Sequence, residues 1–174
     1  METKYLVDLG AAFIPLAVGF IWYHPMVLGK FAKAASGGSM EKMKTGHALL
    51  VYLLTYVGSY FIAQSLGSIV IHQYGLLSWL ANQADVHKAG TELNTTVQGL
   101  YDKYGAEFRT FKHGAYHGYQ IGLKFVLPIL TIITLFERKK WQWLAIHGVY
   151  WIICLALMGG VVCAYMPIEI HVAR

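Results

Sequence analysis

The stretch that decides the fold is HGAYHGYQIGLKFVLPILTIITLF, residues 113–136. From 114 to 136 it is long enough to cross a bilayer as a helix, which takes roughly 20 predominantly apolar residues. Its first half nevertheless carries His113, His117, Gln120 and Lys124, and glycine returns every fourth position at Gly114, Gly118 and Gly122. Small-xxx-small spacing lets a second backbone approach closely, which is how membrane helices associate where lipid removes the hydrophobic drive. The glycine face therefore packs against another helix, in the same chain or in a second one. The polar residues beside it either build a site or sit at an interface.

The rest of the chain has the same character. Of 174 residues 56% are hydrophobic and 13% charged, with a mean hydropathy of +0.46, whereas soluble domains carry about 25% charged residues. Three further segments qualify as spans, giving four in all: about 7–28, 47–72, 114–136 and 142–166. This is an all-α polytopic membrane protein, a four-helix bundle in one membrane domain. Pro15 and Pro128 fall inside spans and are tolerated there, since neighbours satisfy the freed carbonyls. The N-terminal apolar run lacks a clean positive start and a small-x-small cleavage site, so it reads as a retained helix. Cys154 and Cys163 lie nine residues apart on opposite faces of one helix at about 100° per residue, and read as small buried apolar residues.

The formal charge of +5 is topological. Lys30, Lys33, Lys42 and Lys44 against Glu41 fill the first short loop, and Arg138, Lys139 and Lys140 against Glu137 fill the second. The 73–112 loop balances Lys88, Lys103, Arg109 and Lys112 with as many acids. The positive-inside rule puts the short loops in the cytoplasm and the long loop and both termini outside. Trp22, Tyr23, Trp141 and Trp143 fall where an aromatic belt belongs. No basic run interleaved with aromatics points to nucleic acid.

Within the long loop, Leu93, Val97, Leu100, Tyr101, Tyr104, Phe108 and Phe111 follow helical spacing, and GLLSWLA at 75–81 precedes them. This amphipathic segment lies on the bilayer, caps the bundle, or packs on its own domain. Asn94-Thr95-Thr96 matches a glycosylation sequon.

Three ligand readings arise. His72, His113 and His117 belong at the outer side and His24, His47 and His147 at the cytoplasmic side. Either group offers imidazoles to a divalent metal, and a pair from two helices offers bis-histidine ligation to haem b. Lys124 lies about 8 residues, or ~12 Å, inside its span, where a charge is costly. Gln120, Gln64 and the stripe Tyr52, Tyr56 and Tyr60 are its candidate partners around an anionic, lipid or quinone-type ligand. The third reading assigns no ligand: interfacial histidines and a snorkelling lysine. No nucleophile elbow, phosphate loop or paired intramembrane carboxylates occur, so no catalytic set is assigned.

WYHPMVLG at residues 22–29 resembles the W-Y-x-P-x-x-x-G signature of the domain-of-unknown-function family 1761. The His-Gly pairs at 113–114 and 117–118 are similar to an element of its third span. The resemblance implies a four-helix membrane fold and no activity. Trp22, Tyr23, Pro25 and Gly29 also have a structural reading as interfacial anchors and a turn. The expectation is a non-catalytic membrane protein that associates with itself or with a larger complex in the bilayer. Alternatives are a haem- or metal-binding redox protein and a small transporter or ligand binder.

Overall fold

Prolines, glycines and charged turns punctuate the chain into nine α-helices, with no strand, among the residues described by a computed structural model, 2–37 and 44–168. Glu41 and Lys42 of the orientation argument lie outside the described residues, as does the end of the chain. The first span, Thr3–Trp22, consists of α1 (Glu2–Ala12) and α2 (Ile14–Trp22). The break at Phe13 has a cause: Pro15 has no N–H for the carbonyl of Ala11. Next come α3 (Gly29–Ala35), the long α4 (Thr45–Val70), α5 (Gln73–Leu80), α6 (Glu92–Tyr104) and α7 (Phe111–Ile121). A π-helical stretch, Gly122–Val126, joins α7 to α8 (Leu127–Phe136), and α9 is Trp141–Tyr165. Pro128 sits four residues after Lys124, so its ring crowds that carbonyl and the helix widens locally instead of breaking.

Among the described residues, four helices are long and apolar enough to cross a membrane: Thr3–Trp22, Thr45–Val70, Phe111–Phe136 and Trp141–Tyr165. The first stops six residues short of the expected 28. The chain instead turns through WYHPMVLG, with Leu28 N–H donating to the Trp22 carbonyl and Gly29 N–H to that of His24. A side chain at Gly29 would strike the Tyr23 carbonyl, which is why the turn ends on glycine. The turn docks on α9: Trp22 Nε1 donates to the Ile146 carbonyl at 3.2 Å, and the Tyr23 hydroxyl hydrogen-bonds with His147 Nδ1 at 2.6 Å. Burial pushes the Tyr23 phenol up, so it keeps its proton in that pair. These contacts account for three of the four motif residues in structural terms.

The third span begins three residues earlier than expected, at Phe111, because the Thr110 side chain accepts the His113 N–H and caps the helix. His113 and His117 are therefore both helical.

At the centre stands α9. Half of its most apolar window is buried, against 11–22% in the other three spans. It packs against α7, α4, α8, α2, α1 and α3. This explains how Cys154 and Cys163, on opposite faces, are both buried and free. The shared core is Ala63, Leu66, Met158, Val162 and their neighbours, while Phe20, Leu49, Phe61 and Leu135 point outward, as lipid-facing residues do.

The glycine stripe meets α9 within the same chain. A Cβ at Gly114 would overlap the Gly159 carbonyl, one at Gly118 the Leu155 carbonyl, and one at Gly122 would stand 2.8 Å from Ile152 Cα. Helix association at this face is thus intramolecular. The stripe is spent there, and with it the observation that first pointed to self-association.

In the long loop, Val97 and Tyr101 of α6 pack on Val86, from the short turn at Ala84–His87, with Leu77 of α5 at the edge of the cluster. Tyr101 O–H donates to the Gln73 carbonyl. Asn94 of the sequon is buried and donates to the Val86 carbonyl at 3.0 Å, so it is part of this core. The amphipathic helix ends at Tyr104 and leaves Phe108 and Phe111 off its face.

Candidate metal centre

Three histidines from two distant segments converge where the long loop leaves and rejoins the bundle. The chain turns out of α4 at Ile71, whose backbone is extended, and His72 opens α5. On α7, His113 and His117 lie one turn apart on the same face. The neighbouring glycine face clamps α7 to α9, and this fixes which way the imidazoles look. His72 Nε2 lies 3.0 Å from His113 Nε2 and 3.2 Å from His117 Nε2. One ligand atom from each of the three lies within 4.8 Å of the others. Their rings meet edge to face with centroids 4.5 to 5.0 Å apart.

Hydrogen bonding alone does not satisfy this arrangement. A neutral imidazole Nε2 is either one donor or one acceptor. The His72 nitrogen therefore has at most one proton to share between its two neighbours, a weaker arrangement than two full bonds. A cation at the centre accepts all three lone pairs together. At Zn–N distances of about 2.0–2.1 Å, tetrahedral ligand nitrogens lie ~3.3 Å apart, close to the two spacings that His72 makes. Three protein ligands leave the fourth position open, as in zinc sites that bind substrate. The spacing suits a single ion. A porphyrin would have to part these nitrogens.

The group of His24, His47 and His147 does not converge. His147 Nδ1 is taken by Tyr23 and its ring packs on Trp143. His24 Nδ1 accepts the Met26 N–H, and His47 is exposed at the start of α4. Among the described residues, His72, His113 and His117 form the one group of three such side chains with metal-ligand spacing.

Nor does the Lys124 set assemble. Lys124 is exposed on the outside of the π-helical stretch. Tyr56 O–H donates to the Leu9 carbonyl and its ring packs on Phe13. Gln64 Nε2 donates to Tyr60 O–H, Tyr52 is exposed, and Gln120 is half-buried with an unpartnered Oε1.

Sequence reading passed over Asp8. It weighed this residue only as part of the N-terminal charge pattern, yet Asp8 is fully buried in the first span with neither carboxylate oxygen bonded. The signal was present: an acid inside a membrane span marks a functional position by default. It looked marginal because the span starts at Thr3 and not at 7. Near the same end, Arg109 donates to the Met166 carbonyl, and burial lowers its guanidinium below the usual arginine range.

The family described as "Protein of unknown function (DUF1761)" matches residues 7–163, from the first span to the last. No curated protein and no solved structure matches the chain.

Proposed function

The chain belongs to the DUF1761 family, and from that premise, which carries no activity of its own, we propose that it is a membrane metalloprotein. It holds one divalent transition-metal ion of the zinc type between His72, His113 and His117. The observation that carries this reading is the meeting of three Nε2 atoms that cannot all hydrogen-bond to one another. Imidazole donors suit zinc and copper better than magnesium or calcium, which take oxygen. The lysine and arginine content of the short loops supports an inner-membrane protein with the site, and both termini, on the extracytoplasmic side. There the protein would capture a metal from outside the cell and present it at the membrane surface with one coordination position free.

The test is metal analysis of protein purified from native membranes through a tag without histidine, followed by Co²⁺ substitution. About one ion per chain and a tetrahedral Co²⁺ visible spectrum are expected. Protein that takes up no stoichiometric metal after dialysis against zinc would sink the reading.

Lys124 favours a second reading, association with another membrane protein or a second copy. It stands exposed near the middle of Phe111–Phe136, where a charge facing lipid costs about 2.5–3.5 kcal/mol on insertion scales. A partner surface would relieve that cost. Lys124→Leu is then expected to lower the dimer or complex fraction about tenfold in nanodiscs, read by native mass spectrometry. A monomer whose only response is a higher melting temperature excludes this reading.

A further inference from the structure

A groove opens between α4 and α7 one helical turn below His117, with Ile69 and Ile121 at its upper edge. Its volume is about 580 Å³ and its walls include Phe61, Ser65 and Ile69 on one side, Ile121 and Phe125 on the other, and Leu155 behind. On the first wall, Phe61, Ser65 and Ile69 recur every four residues. On the second, His113, His117, Ile121 and Phe125 recur every four. Residues four apart stack on one helical face, so the second wall carries imidazole at the top and hydrocarbon below, and His72, which opens α5 beyond the extended residue Ile71, meets that imidazole from across. Ser65 turns its hydroxyl back to the Phe61 carbonyl at 2.9 Å and offers the groove nothing polar.

The geometry points to a single-chain amphiphile with a carboxylate head, a fatty acid, as the ligand of this site. The inference rests on the metal reading above. The carboxylate takes the open position on the ion, and the chain lies in the groove. From Phe61 to Ile69 the wall is eight residues long, about 12 Å at ~1.5 Å per residue, and the volume is within the range of about 300–1,000 Å³ of small-molecule sites. A phosphate head asks for arginine or lysine forks, but the Arg109 guanidinium is turned inward, its Nη1 buried and its Nη2 donating to the Met166 carbonyl. A carboxylate needs only the ion. Phe61 and Phe125 are 61% and 65% exposed on the lipid-facing side, so the chain enters sideways from the bilayer.

The experiment uses the full chain in phosphatidylcholine nanodiscs, loaded with Co²⁺. Dodecanoate is expected to shift the Co²⁺ visible spectrum, and methyl dodecanoate to leave it unchanged. Fluorescent fatty-acid binding should weaken about tenfold or more on adding EDTA. Ser65→Trp, which fills the groove, should weaken fatty-acid binding to the same degree while Co²⁺ titration stays as in wild type. Should that variant prove unstable, the acid-against-ester comparison on wild type still decides. Equal binding of acid and ester, or a spectrum blind to both, overturns this inference in favour of an ordinary bilayer lipid in the groove and leaves the metal reading standing. Failure to bind Co²⁺ removes both.

Discussion

Adding one methyl group at Gly118 is expected to unseat α7 from α9. The Gly118→Ala side chain would overlap the Leu155 carbonyl and stand 3.0 Å from Ala156 Cα. Overpacking costs about 1–3 kcal/mol where side chains can shift. Here the obstacle is backbone in the middle of the most buried helix, and Gly114 and Gly159 hold the same seam closed one turn away. A loss of about 3 kcal/mol or more is expected in reversible unfolding in mixed micelles. The control is Gly58→Ala on α4, which meets nothing within 4 Å. It should be neutral or stabilising by up to about 1 kcal/mol from helix propensity. Equal losses at the two positions would show that helix chemistry, and not the seam, sets the cost.

The second large effect is expected from His72→Ala. His72 is the ligand that does not come from α7, so its loss leaves only the His113 and His117 pair. Removing groups that merely orient a metal ligand costs about 10–100-fold in affinity, and loss of a ligand itself should cost about 100-fold or more. Zinc titration monitored by competition with a chromophoric chelator reads this directly. A second readout is thermal: a ligand at a hundred times its Kd stabilises the folded state by about 2.7 kcal/mol. That zinc-dependent rise in Tm should vanish in His72→Ala and persist in His24→Ala. Full zinc affinity in His72→Ala would place the ion elsewhere or nowhere.

Most of the architecture was legible because the bilayer imposes it. Spans show as apolar runs, and four of them emerge from composition alone. The ends were less legible. Trp22 and Tyr23 look as membrane-compatible as what precedes them, and only the turn closed by Gly29 shows that the helix has already ended. Grouping the histidines by depth put together the three that meet in the structure. Depth did not say that they touch, because His72 and His113 are 41 residues apart in sequence and meet only through the packing of α4 and α7. Depth grouped the other three just as well, and they stay apart. The facing of Lys124 was not legible for a related reason: hydropathy tells how deep a residue lies, and only the crossing of α7 over α9 tells which way it faces. Asp8 was hidden by a boundary set four residues too late.

The central place of α9 has a consequence for biogenesis. Translation delivers it after the other three spans, and N-terminal parts of a chain begin to organise first. Until Trp141–Tyr165 enters the membrane, the glycine stripe of α7 has no mate and the histidines of α7 have no fixed direction. The earlier spans can do little more than wait as loosely paired helices in lipid, with the α1 and α4 contact the main one available to them. Final assembly is therefore one late event in which the last span slides into place as a wedge, and the capacity to bind metal should arise at that moment. Release of a chain ending near 140 should yield four loops and tails correctly threaded, three spans inserted, and no metal site.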